Sequence, residues 1–271
     1  MPELPEVETS RRGIEPYVLG KRFKQVVVRQ QRLRWAIDGD LPNILAGVRL
    51  SSLDRRGKYL LFNTQSGTLI VHLGMSGSLR ITDLQHPPRK HDHVDFVFDG
   101  DTVLRFHDPR KFGAILWTTA PIQVHPLMAS LGPEPLLALF DAPYLWQVAQ
   151  KRRIPIKSLI MDSHVVVGVG NIYANESLFM AGLQPARRAC DINLEDCQRL
   201  VTAIKQVLQR SIDQGGTTLR DFVNPQGNPG YFKQTLTVYG RTGEPCLHCG
   251  EPIQSLTIAQ RSSFYCAACQ H

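Results

Sequence analysis

The chain of 271 residues has no apolar run approaching the ~18 needed to span a bilayer. Its opening, MPELPEVETSRR, lacks the apolar stretch of a secretory signal. The expected address is therefore the cytoplasm. No internal repeat or low-complexity tract is present, which sets aside solenoids and fibrous arrays. Cysteine is scarce and unevenly placed: of six, four crowd the C-terminal end as Cys246, Cys249, Cys266 and Cys269. A cytosolic chain is not expected to hold disulfides, so this cluster points to metal. Cys190 and Cys197 sit in or beside a helical stretch and read as small buried hydrophobes.

A hydrophobic content of 42% with 20% charged residues is ordinary for a globular protein, and the length suggests about two domains. The net charge of +7 and a pI near 9.2 suit a polyanionic partner. DNA, RNA and an anionic membrane fit that balance equally well.

Residues 5–14 read as a short helix, with Pro5 in its first turn, Glu6 and Glu8 at the positive end of its dipole, and Arg11 and Arg12 at the other. Between Phe23 and Trp117 the texture becomes β. Phe23 to Val28, Tyr59 to Phe62, Thr68 to Leu73, Val94 to Phe98 and Val103 to Phe106 are separated by Gly, Asp and Pro, which predicts a sandwich or barrel-like sheet domain. His125 to Leu136 carries three prolines and reads as a passage between domains. Leu194, Cys197, Val201, Ile204, Leu208 and Ile212 keep helical steps of three or four, and Gly215 and Gly216 end that helix. Thr217 to Gln234 is turn-rich and reads as a mobile loop.

The cysteines form two Cys-x2-Cys pairs separated by residues 250–265. Two such knuckles converging place four thiolates tetrahedrally around one ion, and zinc is the usual choice. With four protein ligands the site is closed, hence structural, and four thiolates with Zn2+ lower the charge from +7 to about +5. Between the knuckles lies Arg261, which is either presented to a phosphate by a metal-held hairpin or is a solvated surface arginine. The stretch VVVGVGN, Val165 to Asn171, precedes a helical run from Ala174 to Ala181. Its amides and Asn171 suit an anionic oxygen, and a tight helix–helix turn suits the pattern as well.

These residues converge on a family. The chain resembles formamidopyrimidine-DNA glycosylase, the bacterial Fpg/MutM family, in PELPEVETSRRG (Pro2 to Gly13), RRGKYL (Arg55 to Leu60), HLGMSGSLR (His72 to Arg80) and KHDHVD (Lys90 to Asp95). DPRKFG (Asp108 to Gly113), VVGVGNIYANESLF (Val166 to Phe179), QGGTTL (Gln214 to Leu219) and the terminal PCLHCG…QRSSFYCAACQ extend the resemblance in order to residue 270. It implies an α+β multidomain enzyme. Residues 1–131 form an N-terminal catalytic β-sandwich with a terminal helix. Residues 132–236 form a helical DNA-binding domain with a helix–two-turn–helix element and a lesion-recognition loop, and 237–271 form a zinc-finger β-hairpin. The implied activity is a bifunctional glycosylase/AP lyase that excises 8-oxoguanine and formamidopyrimidines and then cuts the strand by β,δ-elimination. The implied enzyme carries one structural Zn2+, acts as a monomer on double-stranded DNA and works in the bacterial cytoplasm at the nucleoid.

The resemblance makes Pro2 the nucleophile once Met1 is removed. With Met1 attached the Pro2 nitrogen is an amide and cannot attack, whereas a terminal α-amine has a pKa near ~8 and is partly unprotonated at neutral pH. Glu3 is the matching general acid, and Glu6, one turn on, orients the terminus or serves the dipole alone. Lys58 matches the lysine implied to bind the lesion's phosphate and assist β-elimination. Arg261 matches the hairpin arginine implied in δ-elimination, and Asn171 the phosphate-binding asparagine. A damaged base must be flipped out of the duplex, and Met75, Arg110 and Phe112 match the trio that fills the hole. His91, Arg152 and Lys157 match DNA contacts, with Lys151 and Arg153 extending the basic run, although such a run is commonly a solvated face. Arg152 stands where the family often has lysine, keeping the charge and changing the geometry. Two rival readings stand beside this one. The sister glycosylase endonuclease VIII shares the proline, glutamate and zinc hairpin, and a non-catalytic zinc-finger DNA-binding protein explains the charge and cysteines but leaves Pro2, Glu3 and Lys58 without a task.

Overall fold

The computed structural model describes residues 2–215 and 236–271, so Gly216 and the segment Thr217 to Gln234 lie outside the described residues. Two compact units are present. One comprises the described residues up to Ala129 together with Gly215, and the other comprises Ser130–Gln214 with the described part of Gln234–His271.

The first unit opens with α1 (Leu4–Val18), which starts one residue before the expected helix and runs four further. Glu3 is its N-cap, and the Glu3 amide donates to Glu6 Oε2 at 2.8 Å. Leu4, Val7, Ile14 and Val18 are buried along one stripe. Eight strands follow: β1 (Phe23–Val28), β2 (Leu50–Arg56), β3 (Tyr59–Thr64), β4 (Thr68–His72), β5 (Ser78–Asp83), β6 (Asp92–Phe98), β7 (Thr102–His107) and β8 (Ala114–Thr118), with the short α2 (Leu41–Leu45) after β1. They pair antiparallel into two four-stranded sheets, ordered β1-β6-β7-β5 and β2-β3-β4-β8.

One hydrophobic core takes Phe23, Phe96 and Phe106 from the first sheet, Leu53, Phe62 and Val71 from the second, and Val7 and Val18 from α1. Of the two sheet architectures left open by the sequence, this is the sandwich. The strands that periodicity missed are β2, β5 and β8. In β2 only Leu50 and Leu53 are buried and in β5 only Leu79, so their polar outer faces leave little alternation to read. Conversely β6 is buried at all seven positions, including Asp92, His93 and Asp95, so its acids require partners. Asp92 accepts from Arg80 and His107, and Asp95 from Arg105 and Arg29.

The second unit is helical, with α3 (Ala142–Ala149), α4 (Ile156–Met161), α5 (Asn171–Ala181) and α6 (Leu194–Asp213). Asn193 caps α6 by accepting from the Asp196 amide at 2.8 Å, and Gly215 follows its end at φ 83°. Cys197, Val201, Ile204, Leu208 and Ile212 face the core as the periodicity implied, whereas Leu194, in the first turn, remains half exposed. Cys197 is fully buried, and burial pushes its thiol up to about 12. Cys190 departs from the expectation. It lies in a short 3-10 turn before α6 and is only partly buried. No helix among the described residues is long and apolar enough to cross a membrane.

The chain closes with the hairpin β9 (Gln254–Ile258) and β10 (Arg261–Tyr265). Ile258 pairs with Arg261, leaving a two-residue turn in which Ala259 and Gln260 have φ of 47° and 61°. Two positive φ values make a type I′ turn, which favours Asn-Gly, so Ala259 and Gln260 hold this turn against their own preference. Replacing the pair by Asn-Gly is expected to stabilise the hairpin by about 1 kcal/mol, since αL strain runs at roughly 1–2 kcal/mol per residue and glycine returns part of it as chain entropy. Chemical denaturation of the zinc-loaded protein checks this. An unchanged or lowered midpoint contradicts it.

Candidate active site and nucleic-acid interface

In the first unit, Pro2 and Glu3 are buried at the head of α1. The helix is tied to β2 through Glu8, which accepts from Arg12 at 2.8 Å and Arg55 at 3.1 Å. Burial works against the Glu8 carboxylate, but hydrogen bonds from Arg11 and Arg12 and the charges of Arg11 and Arg55 outweigh it and hold its pKa below the ordinary value. Lys58 follows Gly57 in the β2–β3 turn and is half-buried. Its charge is felt by His72, at the end of β4. Burial, then the charges of Lys58 and Arg34, push His72 down to about 4. His72 Nδ1 lies 2.9 Å from the Gly74 amide and accepts from it, so the imidazole is neutral with its proton on Nε2. Residue-by-residue reading of the sequence singled out no role for His72, because burial and charge at one imidazole are properties of the folded sheet.

The expected trio is brought together at one rim of the same unit. Met75 is 40% and Phe112 44% exposed, and the Arg110 guanidinium sits 4.8 Å over the Phe112 ring. Their two loops touch through backbone: a Cβ on Gly74 would lie 2.4 Å from the Phe112 carbonyl carbon. An exposed thioether, a guanidinium and an aromatic ring in one place have the shapes needed to fill a vacated base stack. His91, at φ 73°, precedes β6, and its carbonyl accepts from the Asp108 amide at 3.0 Å. Partial burial and the neighbouring Lys90 and His107 pull its pKa below the usual imidazole value.

In the second unit, α4, the turns of residues 162–170 and α5 form a helix–turn–helix path, with Gly168 at φ 83°. Asn171, at the first position of α5, donates through Nδ2 to the Ser262 carbonyl of β10 at 3.1 Å. Lys157, which the resemblance places among the DNA contacts, is drawn into the interior of the second unit. It is 1% exposed, and its Nζ donates to the Ser262 carbonyl at 2.9 Å and to Ser263 Oγ at 2.7 Å. The ammonium therefore lies beneath the hairpin as a brace, because a buried charge must spend its donors on fixed acceptors. Asn175 adds a third tie, accepting from the Phe264 amide at 2.7 Å. Arg261, directly after the tight turn, is exposed, so the hairpin that carries it is held from below at three successive residues. Arg152 is exposed between Lys151 and Arg153, and its carbonyl accepts from the Cys190 amide at 3.0 Å.

Glu176 and Asp108 are among the buried carboxylates that the sequence did not single out. Glu176 on α5 accepts from the amides of Thr237, Val238 and Tyr239 and from the Thr237 hydroxyl, fixing the chain as it enters the cysteine module. Asp108 is fully buried beside the trio. Nothing in a sequence distinguishes such an aspartate from a solvated one.

The Sγ atoms of Cys246, Cys249, Cys266 and Cys269 all lie within 4.8 Å of one another. Four thiolates tetrahedral about zinc at ~2.3 Å stand some ~3.8 Å apart, so the cluster fits one structural zinc ion. The ion would cross-link the two knuckles, whose apolar core around Val238, Ile253 and Phe264 is too small to fold unaided.

Comparison with known proteins finds one family along the chain. Residues 1–115 match the sequence model of the formamidopyrimidine-DNA glycosylase N-terminal domain, 131–223 that of its H2TH domain, and 243–271 that of the zinc finger found in FPG and IleRS. The chain belongs to the formamidopyrimidine-DNA glycosylase family. Membership makes it a DNA-binding repair glycosylase with a zinc finger. The formamidopyrimidine-DNA glycosylase of Methylococcus capsulatus is 59% identical over 270 residues and that of Klebsiella pneumoniae 55%, each covering 100% of both chains. The crystal structure of MutM (Fpg) from Thermus thermophilus is similar at TM-score 0.87 and 40% identity, covering 99% of this chain and 98% of that one. Lactococcus lactis Fpg in complex with DNA containing N7-benzyl-Fapy-dG is similar at TM-score 0.90 and 34% identity over 100% of both.

His72 carries a folded pKa of about 4 against an unfolded value of 6.5, so the folded state favours the neutral ring. Its contribution is fully present above pH 6.5 and is lost as pH falls from 6.5 to about 4, by about 3 kcal/mol. His72→Gln is expected to flatten the slope of unfolding free energy in that window, and an unchanged slope contradicts the assignment. Lys157→Met keeps the stem and removes the brace. DNA affinity should fall about tenfold with the salt slope unchanged, whereas loss of about one unit of slope would identify a direct phosphate contact.

Proposed function

We propose that the protein is a bifunctional DNA glycosylase and AP lyase of base excision repair. It excises 8-oxoguanine and formamidopyrimidines through a Schiff base on Pro2 and then cleaves the strand by β,δ-elimination. The observation that carries this reading is the buried Pro2–Glu3 pair at the capped head of α1, in a chain whose Lactococcus lactis neighbours are solved with Fapy-dG and with abasic-site DNA.

Removal of Met1 leaves Pro2 as a secondary amine, partly unprotonated near neutral pH. Its nitrogen forms a bond to the sugar C1′ as the bond to the base breaks, and the departing base takes up a proton. Glu3 protonates the ring oxygen as the sugar opens, giving an iminium on Pro2. Loss of a C2′ proton from that iminium expels the 3′-phosphate, and a second elimination expels the 5′-phosphate. Lys58 binds the lesion's phosphate and serves the first elimination, and Arg261 serves the second. Asn171, His91 and Arg152 bind the DNA backbone. Met75, Arg110 and Phe112 fill the space of the extruded nucleotide, with Arg110 offering planar donors to the acceptors of an orphaned cytosine. The zinc ion held by Cys246, Cys249, Cys266 and Cys269 maintains the hairpin and takes no part in the chemistry. The enzyme acts as a monomer in the cytoplasm, at the nucleoid.

Borohydride reduction of the iminium tests the assignment. The processed protein is expected to become covalently linked to DNA containing 8-oxoguanine. Pro2→Gly should be badly impaired, and a chain that retains Met1 should form no link. Efficient linkage with Met1 verified by mass spectrometry would overturn the role of Pro2.

A further inference from the structure

Among the described residues, Asp108 is the one acid of its neighbourhood that the mechanism leaves unused and that the surrounding arginine side chains do not claim. Asp92 and Asp95 accept from Arg80, Arg105 and Arg29. Asp108 is held instead by neutral donors from two separate loops. Its Oδ1 accepts from Ser76 Oγ at 2.7 Å and from the Arg110 amide at 3.3 Å. Its Oδ2 accepts from the Gly113 amide at 2.8 Å. Ser76 Oγ is also 3.3 Å from the Arg110 amide, so serine, aspartate and arginine backbone close a small ring of hydrogen bonds. Asp108's own carbonyl lies 2.8 Å from His93 Nε2 in the buried strand β6, which anchors the loop to the sheet.

The two loops joined in this way carry the three exposed side chains of the rim. Met75 is the residue before Ser76, and Arg110 and Phe112 precede Gly113 in the stretch whose two ends Asp108 holds. The loops are also in backbone contact at Gly74, which leaves no room for a side chain. Loop tips of this kind move unless tied down, and side chains that insert into a base stack as a set need a fixed mutual spacing. A buried carboxylate is costly without compensation, and here its acceptors are matched by amides and a hydroxyl whose only common feature is that they frame the trio.

We propose that Asp108 is a positioning residue that clamps the Met75 loop to the Arg110–Phe112 loop, so that the three side chains enter the duplex as one preformed wedge. The clamp acts through the geometry of the wedge and not on the reacting atoms. It rests on the reading of the trio as the hole-filling group.

The test uses the zinc-loaded protein, with Met1 removed, and a duplex in which a tetrahydrofuran abasic analogue faces 2-aminopurine, a base whose fluorescence is quenched by stacking. Wild-type protein should raise the fluorescence on binding, and binding without a rise would sink the wedge reading itself. Given that rise, Asp108→Ala should still bind but lose most of it. Single-turnover excision of 8-oxoguanine should slow by about tenfold or more, with an eroded preference for cytosine over adenine opposite the lesion. Asp108→Asn should largely restore all three, since its carbonyl can accept from Gly113 and its amide can donate to Ser76. Adding Ser76→Ala to Asp108→Asn removes that partner and should abolish the rescue, which keeps the test open should Asp108→Ala fail to fold. A full fluorescence rise with unchanged opposite-base preference, in Asp108→Ala or in the double variant, overturns the clamp.

Discussion

Chain termini fray because their first residues have neighbours on one side only, yet residues 2–8 of this protein are all buried. The immobility comes from α1, whose Leu4 and Val7 are fully buried and whose Glu8 is pinned by Arg11, Arg12 and Arg55. The Glu3–Glu6 tie satisfies an amide that an uncapped helix would leave exposed to competition from water. The proposed role of Pro2 as nucleophile requires a position as well defined as that of a core residue, and the sandwich provides that definition. The two sheets are thereby committed to a shape that keeps α1 in contact with both halves of the core.

The same unit solves a second problem with buried acids. Asp92 and Asp95 sit in the fully buried β6 and are compensated by arginines from β5, β7 and the residue after β1. Removing one partner of such a pair leaves an uncompensated charge and costs about 3–5 kcal/mol, whereas the intact pair adds little net stability. These arginines therefore compensate buried charge more than they add net stability to the sheet. Asp108 is held by neutral amides and a hydroxyl instead, and it joins loops rather than strands. Lys157 and Glu176 repeat the device in the second unit, where a buried ammonium and a buried carboxylate hold a hairpin and a connecting segment whose own cores are small.

The placement of Lys157 shows how the fold uses a buried cation. An ammonium on a four-carbon stem reaches solvent easily. In the fold, Ser262 and Ser263 lie close enough to take its donors, so the charge is withdrawn beneath the hairpin and Arg261 emerges from the strand above it.

Local chemistry was legible along the chain itself. Cysteine spacing announced the metal module, helical steps from Cys197 to Ile212 announced α6, and motif order from Pro2 to the last cysteine announced the family. These signals survive in one dimension because they depend on fixed short separations. The strands β2 and β5 were not legible, since each buries only one or two apolar residues. Neither were the neutral His72, the Asp108 clamp, the Lys157 brace or the Glu176 anchor. Each depends on groups brought together from distant positions, as when Glu176 meets Thr237, Val238 and Tyr239. A buried acid and a surface acid are the same letter in a sequence. Only the tertiary structure, by removing water from one side chain and leaving it on another, decides which of them must find partners and so which of them can hold a site in shape.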